Sequence, residues 1–504
     1  MKQKRKGLLL AAASIILAGA LSACSTDKAA PSETGKPAAT DAQLSPVTLK
    51  IMFPGDPPGN WNEVKTEIEN RLSGSLNVKL NVVFIPWSDV LTKRQVALSS
   101  AEDYDLIWDN NPTQNIAAGL YEPLDALIDK YGPDIKGTRS PQMMDANKVN
   151  GKLFAVPLEV NFIRPWTFVI RKDIREKLGV APIKSYDELI KFMYTVKEKA
   201  PDITPFIPNG TEHIGLKQAS MLDPKTNIAP VLSYPGLYTK GNDGKVYNIF
   251  DNMDPQIMKN YETNHKLYTD GIMARDALIL RNGEFAKGKA AVSTFNDFGV
   301  NLSTSTALEK AVPGSSSEAF SLYDPSMKLS STYKAGNYIA VPVISKNKER
   351  AIQFINWLNK QENYDLLAYG IKGKNWEETG PGLYKPMKDN TYAGIPFAWG
   401  WNPKLDRIDA SLSEDVIKLN KWQRDPGNFT ADILSGFTFD PGPVSNEVAQ
   451  LGNIGKELYD PIVMGLVEPK EGLAKFKEKA YTNVTKIQVE YQKQLDTFLA
   501  NRKK

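Results

Sequence analysis

The sequence predicts an α/β protein whose sheets are mostly parallel and flanked by helices. Three observations point there. The 504 residues are 41% apolar and 24% charged, ordinary usage for globular domains of roughly 100–200 residues each. Residues 47–108 alternate strand, helix, strand, helix, strand in their hydrophobic period, the pattern of parallel strands joined by right-handed crossovers. The strand patterns also stop in loops rich in Pro, Gly, Asn and Asp. Disordered, collagen-like and multi-span membrane classes are excluded by composition.

The chain opens with a basic stretch, Lys2, Lys4, Arg5 and Lys6, followed by the apolar run from Leu8 to Leu21. That run is short for a membrane span and fits the core of a secretion signal. Leu21-Ser22-Ala23-Cys24 then resembles a bacterial lipobox, which implies cleavage after residue 23 and lipidation of Cys24. Cys24 is the only cysteine, so an intramolecular disulfide and a multi-cysteine metal site are both excluded. Residues 24–46 are small and polar with little to bury, and read as a flexible tether. The chain carries 62 Lys plus Arg against 58 Asp plus Glu. Four of those cations lie in the first six residues, so the rest is balanced. Such a body is poorly suited to nucleic acid, which is held by an excess of Lys and Arg.

Within the body, Val47–Phe53 alternates and stops at Gly55-Asp56-Pro57-Pro58, a strand ending in a turn-rich loop. Val64, Ile68 and Leu72 give the residues after it a helical face. Asn77–Ile85 is a second strand, Ser88–Leu98 a helix, and Tyr104–Trp108 a third strand. Ligands of open α/β sheets bind beyond the carboxyl ends of the strands, which makes the loops at Asp56 and at Asp109-Asn110-Asn111 ligand candidates. Further strands are expected at 153–158, 166–170, 290–295, 319–323 and 338–343. Further helices are expected at 186–199, 255–270, 348–360, 413–421 and 471–501. In the last, Phe476, Ala480, Val484, Ile487 and Tyr491 stand near helical spacing. Segments 200–250 and 371–410 read as long loops. Eight βα units cannot be counted, so a TIM barrel fits badly.

Several segments resemble the extracellular solute-binding proteins of bacterial ABC transporters, in particular the large sugar-uptake lipoproteins of Gram-positive bacteria. They are DLIWDNNPTQNIAAGLYEPLDALI (105–128), GKLFAVPLEVNFIRPWTFVIRKDIREKLG (151–179), AVSTFNDFG (291–299), YKAGNYIAVPVISKNKERAIQFINWL (333–358), NYDLLAYGIKGKNWE (363–377) and FTFDPGPVSNEVAQLGNIGKE (437–457). The resemblance implies a two-lobed periplasmic-binding-protein-like fold with a hinge between the lobes. The expected division is residues 47–157 with 325–365 in the N-terminal lobe and 158–324 with 366–504 in the C-terminal lobe. Crossovers are expected near 155–162, 318–325 and 362–368. Relatives of this subgroup often carry a calcium loop after the helix equivalent to 186–199. Here Ala200-Pro201-Asp202-Ile203-Thr204-Pro205-Phe206 offers a single carboxylate between prolines, and no calcium is expected.

A sugar presents a C–H face to an aromatic ring and hydroxyls to carboxylates and amides. Aromatics beside Asp, Asn and Glu on loops are therefore the expected signature. Trp108-Asp109-Asn110-Asn111 fits it, although Trp108 could instead close its strand into the core and Asp109 could cap the next helix. Glu159 and Asn161, at the first crossover with Arg164 and Trp166, are expected to serve the ligand, although the polar residues of this segment could instead form a hinge salt bridge. Phe295-Asn296-Asp297 follows a strand where the family usually presents an aromatic to sugar; Asp297 could be a cap instead. Trp399 and Trp401 sit in a Pro/Gly-flanked stretch and one of them is expected as a ligand platform. Trp61 and Trp87 follow strand ends as candidate cleft walls, and Trp357 reads as core. The two histidines, His213 and His265, have no metal-ligand spacing, and no phosphate-loop or nucleophile-elbow fingerprint is present.

These readings point to the substrate-binding component of an importer, a monomer held on the outer face of the cell membrane by lipid on Cys24. It would take an oligosaccharide between its lobes and hand it to the transmembrane permease subunits. No catalytic residue, metal or cofactor is expected. Two alternatives stay open: a lipid-anchored glycoside hydrolase or lyase, and the same fold serving a peptide or a sensory role.

Overall fold

The structure is a computed structural model that describes residues 44–158, 167–215, 228–231, 234–280, 283–295, 302–322, 328–392, 399–412 and 414–502. Two sheets, each with its own core, organise it. The first has five strands in the order β2 (Val78–Ile85), β1 (Val47–Pro54), β3 (Leu106–Asp109), β13 (Tyr338–Ala340), β4 (Ala155–Pro157). β1 pairs in parallel with β2 and β3, while β13 runs antiparallel to β3 and β4. The strands that alternate with helices are thus parallel, and the strand that returns late in the chain is not. Helix Trp61–Ser73 joins β1 to β2, and helix Val90–Ser99 joins β2 to β3.

Alternation along β1 sorts its side chains. Leu49, Ile51 and Phe53 enter a core with Val64, Ile68 and Leu72 of the first helix and Ile352, Ile355 and Leu358 of helix Lys348–Leu358. Met52 faces the other way, toward Ile107, Ala155 and Ala340. Each such buried side chain contributes about 1.5–3 kcal/mol relative to exposure.

The second sheet has the order β11 (Ser317–Ser321), β5 (Thr167–Arg171), β10 (Ala290–Phe295), β6 (Thr204–Ile207). β10 and β6 are parallel; β5 is antiparallel to both β10 and β11. Phe168, Ile170 and Phe206 pack on Leu189, Phe192 and Val196 of helix Tyr186–Lys199. The same core takes Phe476, Ala480, Val484, Ile487, Tyr491 and Leu495 from the 34-residue helix Pro469–Arg502. Residues read as loops between 200 and 250 include β6 and a three-strand meander, β7 (Ile228–Pro230), β8 (Leu237–Lys240) and β9 (Val246–Asn248). These strands are short, and half-buried segments of three or four residues leave little periodicity to read.

Residues 362–368 were expected to cross between lobes. They lie instead in helix Gln361–Tyr369, whose Leu366 and Leu367 belong to the first core. Every residue from Asn363 to Tyr369 is buried, which erases the amphipathic signal. Further along, Tyr392 and Trp399 also belong to the first core. Beside it stands a small sheet of β14 (Trp376–Gly380), β15 (Leu383–Pro386) and β16 (Ile408–Asp409). The boundary drawn at 366 therefore moves. The chain leaves the first body only after helix Glu414–Arg424, whose Arg424 Nη2 donates to Asp406 Oδ2 at 3.0 Å, and joins the second core at Phe437. On that way β17 (Phe429–Ala431) pairs in parallel with β12 (Leu329–Ser331). The second and third passages between the bodies are thereby stitched together.

An ion-pair network braces the small sheet. Arg407 donates Nε to Asp365 Oδ1 at 3.0 Å and Nη2 to Asp365 Oδ2 at 2.9 Å, a two-pronged pair. Its Nη1 reaches Glu378 Oε1 at 2.7 Å, and Lys372 Nζ reaches Glu378 Oε2 at 2.8 Å. Hydrogen bonds from Lys372 and then Arg407 hold the Glu378 carboxyl down to about 2. A carboxyl depressed on folding stabilises the fold above its unfolded value, near 4.3, and that contribution disappears as pH falls through the folded value. Thermal melts between pH 4.5 and 2 will accordingly show a steeper loss of Tm for the wild type than for Glu378→Gln; parallel curves would mean the network contributes nothing.

Candidate functional site

Register alone decides which ends of the two sheets meet the connecting chain. The first passage leaves β4 at Pro157 and enters β5 at Thr167. In the first sheet Pro157 lies opposite Tyr338, and Tyr338 opposite Asp109. The carboxyl ends of β3 and, by the parallel pairing, β1 and β2 are thus on the passage side. In the second sheet Thr167 lies opposite both Phe295 and Ser321. β10 and its parallel neighbour β6 therefore also end on the passage side. Both bodies turn the carboxyl ends of their helix-linked strands toward the chain that joins them, the place where open α/β sheets bind ligand.

Asp109 closes the first of these edges. It has no exposed surface, and its two oxygens take four donors. Oδ1 accepts from the Asn111 backbone N–H at 2.8 Å and lies 2.9 Å from Arg94 Nη1. Oδ2 accepts from Asn115 Nδ2 at 2.9 Å and Tyr121 Oη at 2.8 Å. Burial, then the neighbouring Asp109 charge, pushes the Tyr121 hydroxyl far above its ordinary range, so it remains a donor. The carboxylate is spent on holding the edge together and has nothing left for a ligand. Asn110 and Asn111 are exposed just beyond it, and Arg94 Nη1 also reaches Asn110 Oδ1 at 3.3 Å. Asp56 is exposed on the β1 loop.

The tryptophans divide sharply. Trp108 is 3% exposed, and its Nε1 donates to Asn337 Oδ1 at 3.1 Å. Asn337 in turn accepts, through its carbonyl, the Leu158 N–H at 2.9 Å. Trp108 is thus a brace between β3 and the first two passages. Trp399, expected as a platform, is 1% exposed and packs edge-on against Phe53, Trp61 and Phe354 with centroids 5.1, 5.8 and 5.8 Å away. A ring enclosed in this way has no face for a sugar. Trp401 packs beside Tyr364, Tyr369 and Trp376 and directs Nε1 to Asp406 Oδ2 at 3.4 Å, in the braced small sheet. The exposed indole at this edge is Trp87, 52% exposed.

On the second body's edge, Thr294 Oγ1 accepts the Asn209 N–H at 2.8 Å, and Ser293 Oγ donates to the Ile207 carbonyl at 2.6 Å. The β10 backbone ends at Phe295. Glu159, Asn161, Arg164, Trp166, Asn296, Asp297 and Cys24 lie outside the described residues. The structure therefore brings Asp56, Trp108, Asp109, Asn110 and Asn111 together at one edge, places the backbone of Phe295 at the other, and sets Trp399 and Trp401 apart in packed clusters. Asn337 and Arg94 belong to the edge and were not singled out by sequence. An Asn opening a strand and an Arg inside a helix carry no signal of their own, because their partners are remote in the chain.

A groove between the bodies has a volume of about 1480 Å³. Its walls are helix Thr113–Ala117 and residues 142–154 on one side, and residues 435–442 with the end of helix Pro469–Arg502 on the other. None of Asp56, Trp87, Asn110 and Asn111 lines it. Among the described residues no group of three or more His, Cys, Asp or Glu side chains is placed to hold a metal ion. No helix among them is long and apolar enough to cross a membrane.

Comparison with known proteins gives a consistent picture. The family profile described as "Bacterial extracellular solute-binding protein" matches residues 75–365, more than half of the chain. A domain of unknown function matches residues 433–500. A Streptococcus pneumoniae protein named "Carbohydrate ABC transporter substrate-binding protein" is 27% identical over the full length of both chains. "Lipoprotein LipO" of Bacillus subtilis is 22% identical, over 93% of this chain and 94% of its own. Among solved structures, the N-glycan transport solute binding protein NgtS of Streptococcus pneumoniae superposes with a TM-score of 0.76 at 24% identity, over 91% of this chain and all of its own. The Streptococcus relative and NgtS are both named as binding proteins.

Two substitutions test the division of labour. Trp399→Ala will destabilise the protein by about 3–5 kcal/mol in urea unfolding, as for a large core aromatic; an unchanged midpoint would return Trp399 to the surface. Asp109→Asn will cost about 3–5 kcal/mol, because it leaves the Arg94 guanidinium buried without its counter-charge.

Proposed function

The chain belongs to the bacterial extracellular solute-binding proteins, and we propose that it is the substrate-binding component of an ABC importer that captures an oligosaccharide between its two bodies. The observation that carries this reading is the convergence of both sheets' carboxyl edges on the passages. Amides, a carboxylate and an exposed indole stand at the first edge. Closure of one body on the other around the ligand would proceed by small backbone rotations in the passages, the hinge mode of such folds. The closed form would dock on the permease subunits and release the sugar to them.

The choice of an oligosaccharide is supported by the full-length relative named as a carbohydrate-transport protein and by the solved complex of NgtS with Man1GlcNAc. Lipid anchoring on Cys24 is supported by the lipobox-like Leu21-Ser22-Ala23-Cys24 and by the lipoprotein name of the Bacillus relative. The protein then sits on the outer face of the membrane, tethered by residues 24–46, and performs no covalent chemistry on its ligand.

Intrinsic tryptophan fluorescence of the purified protein, titrated with a panel of plant and microbial oligosaccharides, tests this. A saturable change is expected with at least one sugar, which chromatography then recovers intact. A sugar returned shortened would make the protein a hydrolase or lyase. Silence across the panel would discard an oligosaccharide ligand and leave a peptide.

A further inference from the structure

We propose that Trp87 is the platform on which a pyranose ring of the ligand stacks, and that its seat on Trp108 couples that contact to the passages between the bodies. This rests on the oligosaccharide reading given above.

Trp87 is singled out by exposure and by rigidity together. Trp61, Trp108 and Trp399 of the first body are 7%, 3% and 1% exposed, against 52% for Trp87. An indole half in water forgoes much of the stabilisation that burial would bring. Yet the ring is not loosely held. It stands edge-on to Trp108, with centroids 5.3 Å apart and planes at 89°.

The route of the side chain is set by topology. β2 is the outermost strand and ends at Ile85, opposite Pro54 of β1, and β1 lies between β2 and β3. To reach Trp108 on β3, Trp87 must cross the end of β1. It does so over Gly55: a Cβ there would lie 3.3 Å from Trp87 Nε1, and Gly55 has φ +101°. Glycine satisfies both demands, since it adopts that backbone and leaves room for the ring.

The surroundings supply the rest of a sugar site. Asp56 follows Gly55, and Asn110 and Asn111 follow β3, all three exposed. A pyranose lays its C–H face on an aromatic ring and pairs its hydroxyls with carboxylate and amide groups. The support beneath Trp87 leads directly to the moving parts. Trp108 Nε1 holds the Asn337 side chain, and the Asn337 carbonyl holds Leu158, at the start of the first passage. A ring that packs on Trp87 thus bears on the first two passages through Trp108 and Asn337.

The test uses the full chain in detergent, with a sugar from the panel that the wild type binds. Isothermal titration is expected to show Trp87→Ala weaker by roughly ten-fold or more, and Trp87→Phe close to the wild type. A second readout separates contact from mere structure. The fluorescence difference between wild type and Trp87→Phe reports Trp87, and saturating sugar should shield that component from acrylamide quenching. Equal affinity of Trp87→Ala and wild type, or undiminished quenching of Trp87 with sugar bound, overturns the proposal while the oligosaccharide reading stands. A wild type silent to every sugar overturns both. Should Trp87→Ala fail to fold, the affinity of Trp87→Phe and the quenching measurement decide.

Discussion

A carboxylate withdrawn from water is tolerated only when donors replace its hydration, and Asp109 is fully buried. Its four donors come from a helix before β3, a loop and a helix after it, and a tyrosine further along. One side chain therefore fixes how four pieces of chain meet at the end of one strand. The position of Trp108, one residue earlier, follows from the same lock. Arg94, which is drawn to Asp109, also lies 5.9 Å from the Trp108 ring centroid, a cation–π distance. The edge that faces the passages is rigid because a buried charge demands it.

Among the described residues, two asparagines tie that edge to the passages. Asn337 receives Trp108 with its side chain and Leu158 with its carbonyl. Asn147 Nδ2 donates to the Tyr333 carbonyl at 2.9 Å, and its Oδ1 accepts from the Ala335 N–H at 3.0 Å and Tyr338 Oη at 2.8 Å. Between these anchors Tyr333 holds φ +53°, a costly backbone for a residue with a Cβ. The pairing of β12 with β17 covers only three residues on each strand. Tyr333, held between these anchors, is a place where a few dihedrals can change while the cores do not, as the proposed hinge requires.

The regular elements were legible because each is amphipathic. Helix Tyr186–Lys199 buries Leu189, Phe192, Met193 and Val196 at helical spacing, and helix Pro469–Arg502 repeats the pattern for nine turns. β10 stands where its apolar run placed it. Legibility failed where burial was complete or partnership remote. Helix Gln361–Tyr369 buries every residue from Asn363 on, polar Asn363 and Asp365 included, so its period does not show in the sequence and a crossover is expected there instead. In the small sheet the stabilising contacts join Asp365, Glu378 and Arg407, positions that no local window spans.

The same limit explains the tryptophans. Loop context argued that Trp399 should be exposed, since a residue flanked by Pro and Gly has no amphipathic element to bury it. Trp399 nevertheless packs edge-on among Phe53, Trp61 and Phe354 of the first core. Trp87, by contrast, follows a well-formed strand, a context that ordinarily precedes burial. Its ring crosses the end of β1 above Gly55 to stand edge-on to Trp108, and about half of it is left in water. Whether an aromatic becomes core or surface is settled by the cavity that the register of neighbouring strands creates. A site assembled from strand ends must therefore be read from pairing first and from residue type second, and the pairing of β2, β1 and β3 brings Trp87, Asp56, Asn110 and Asn111 to one edge.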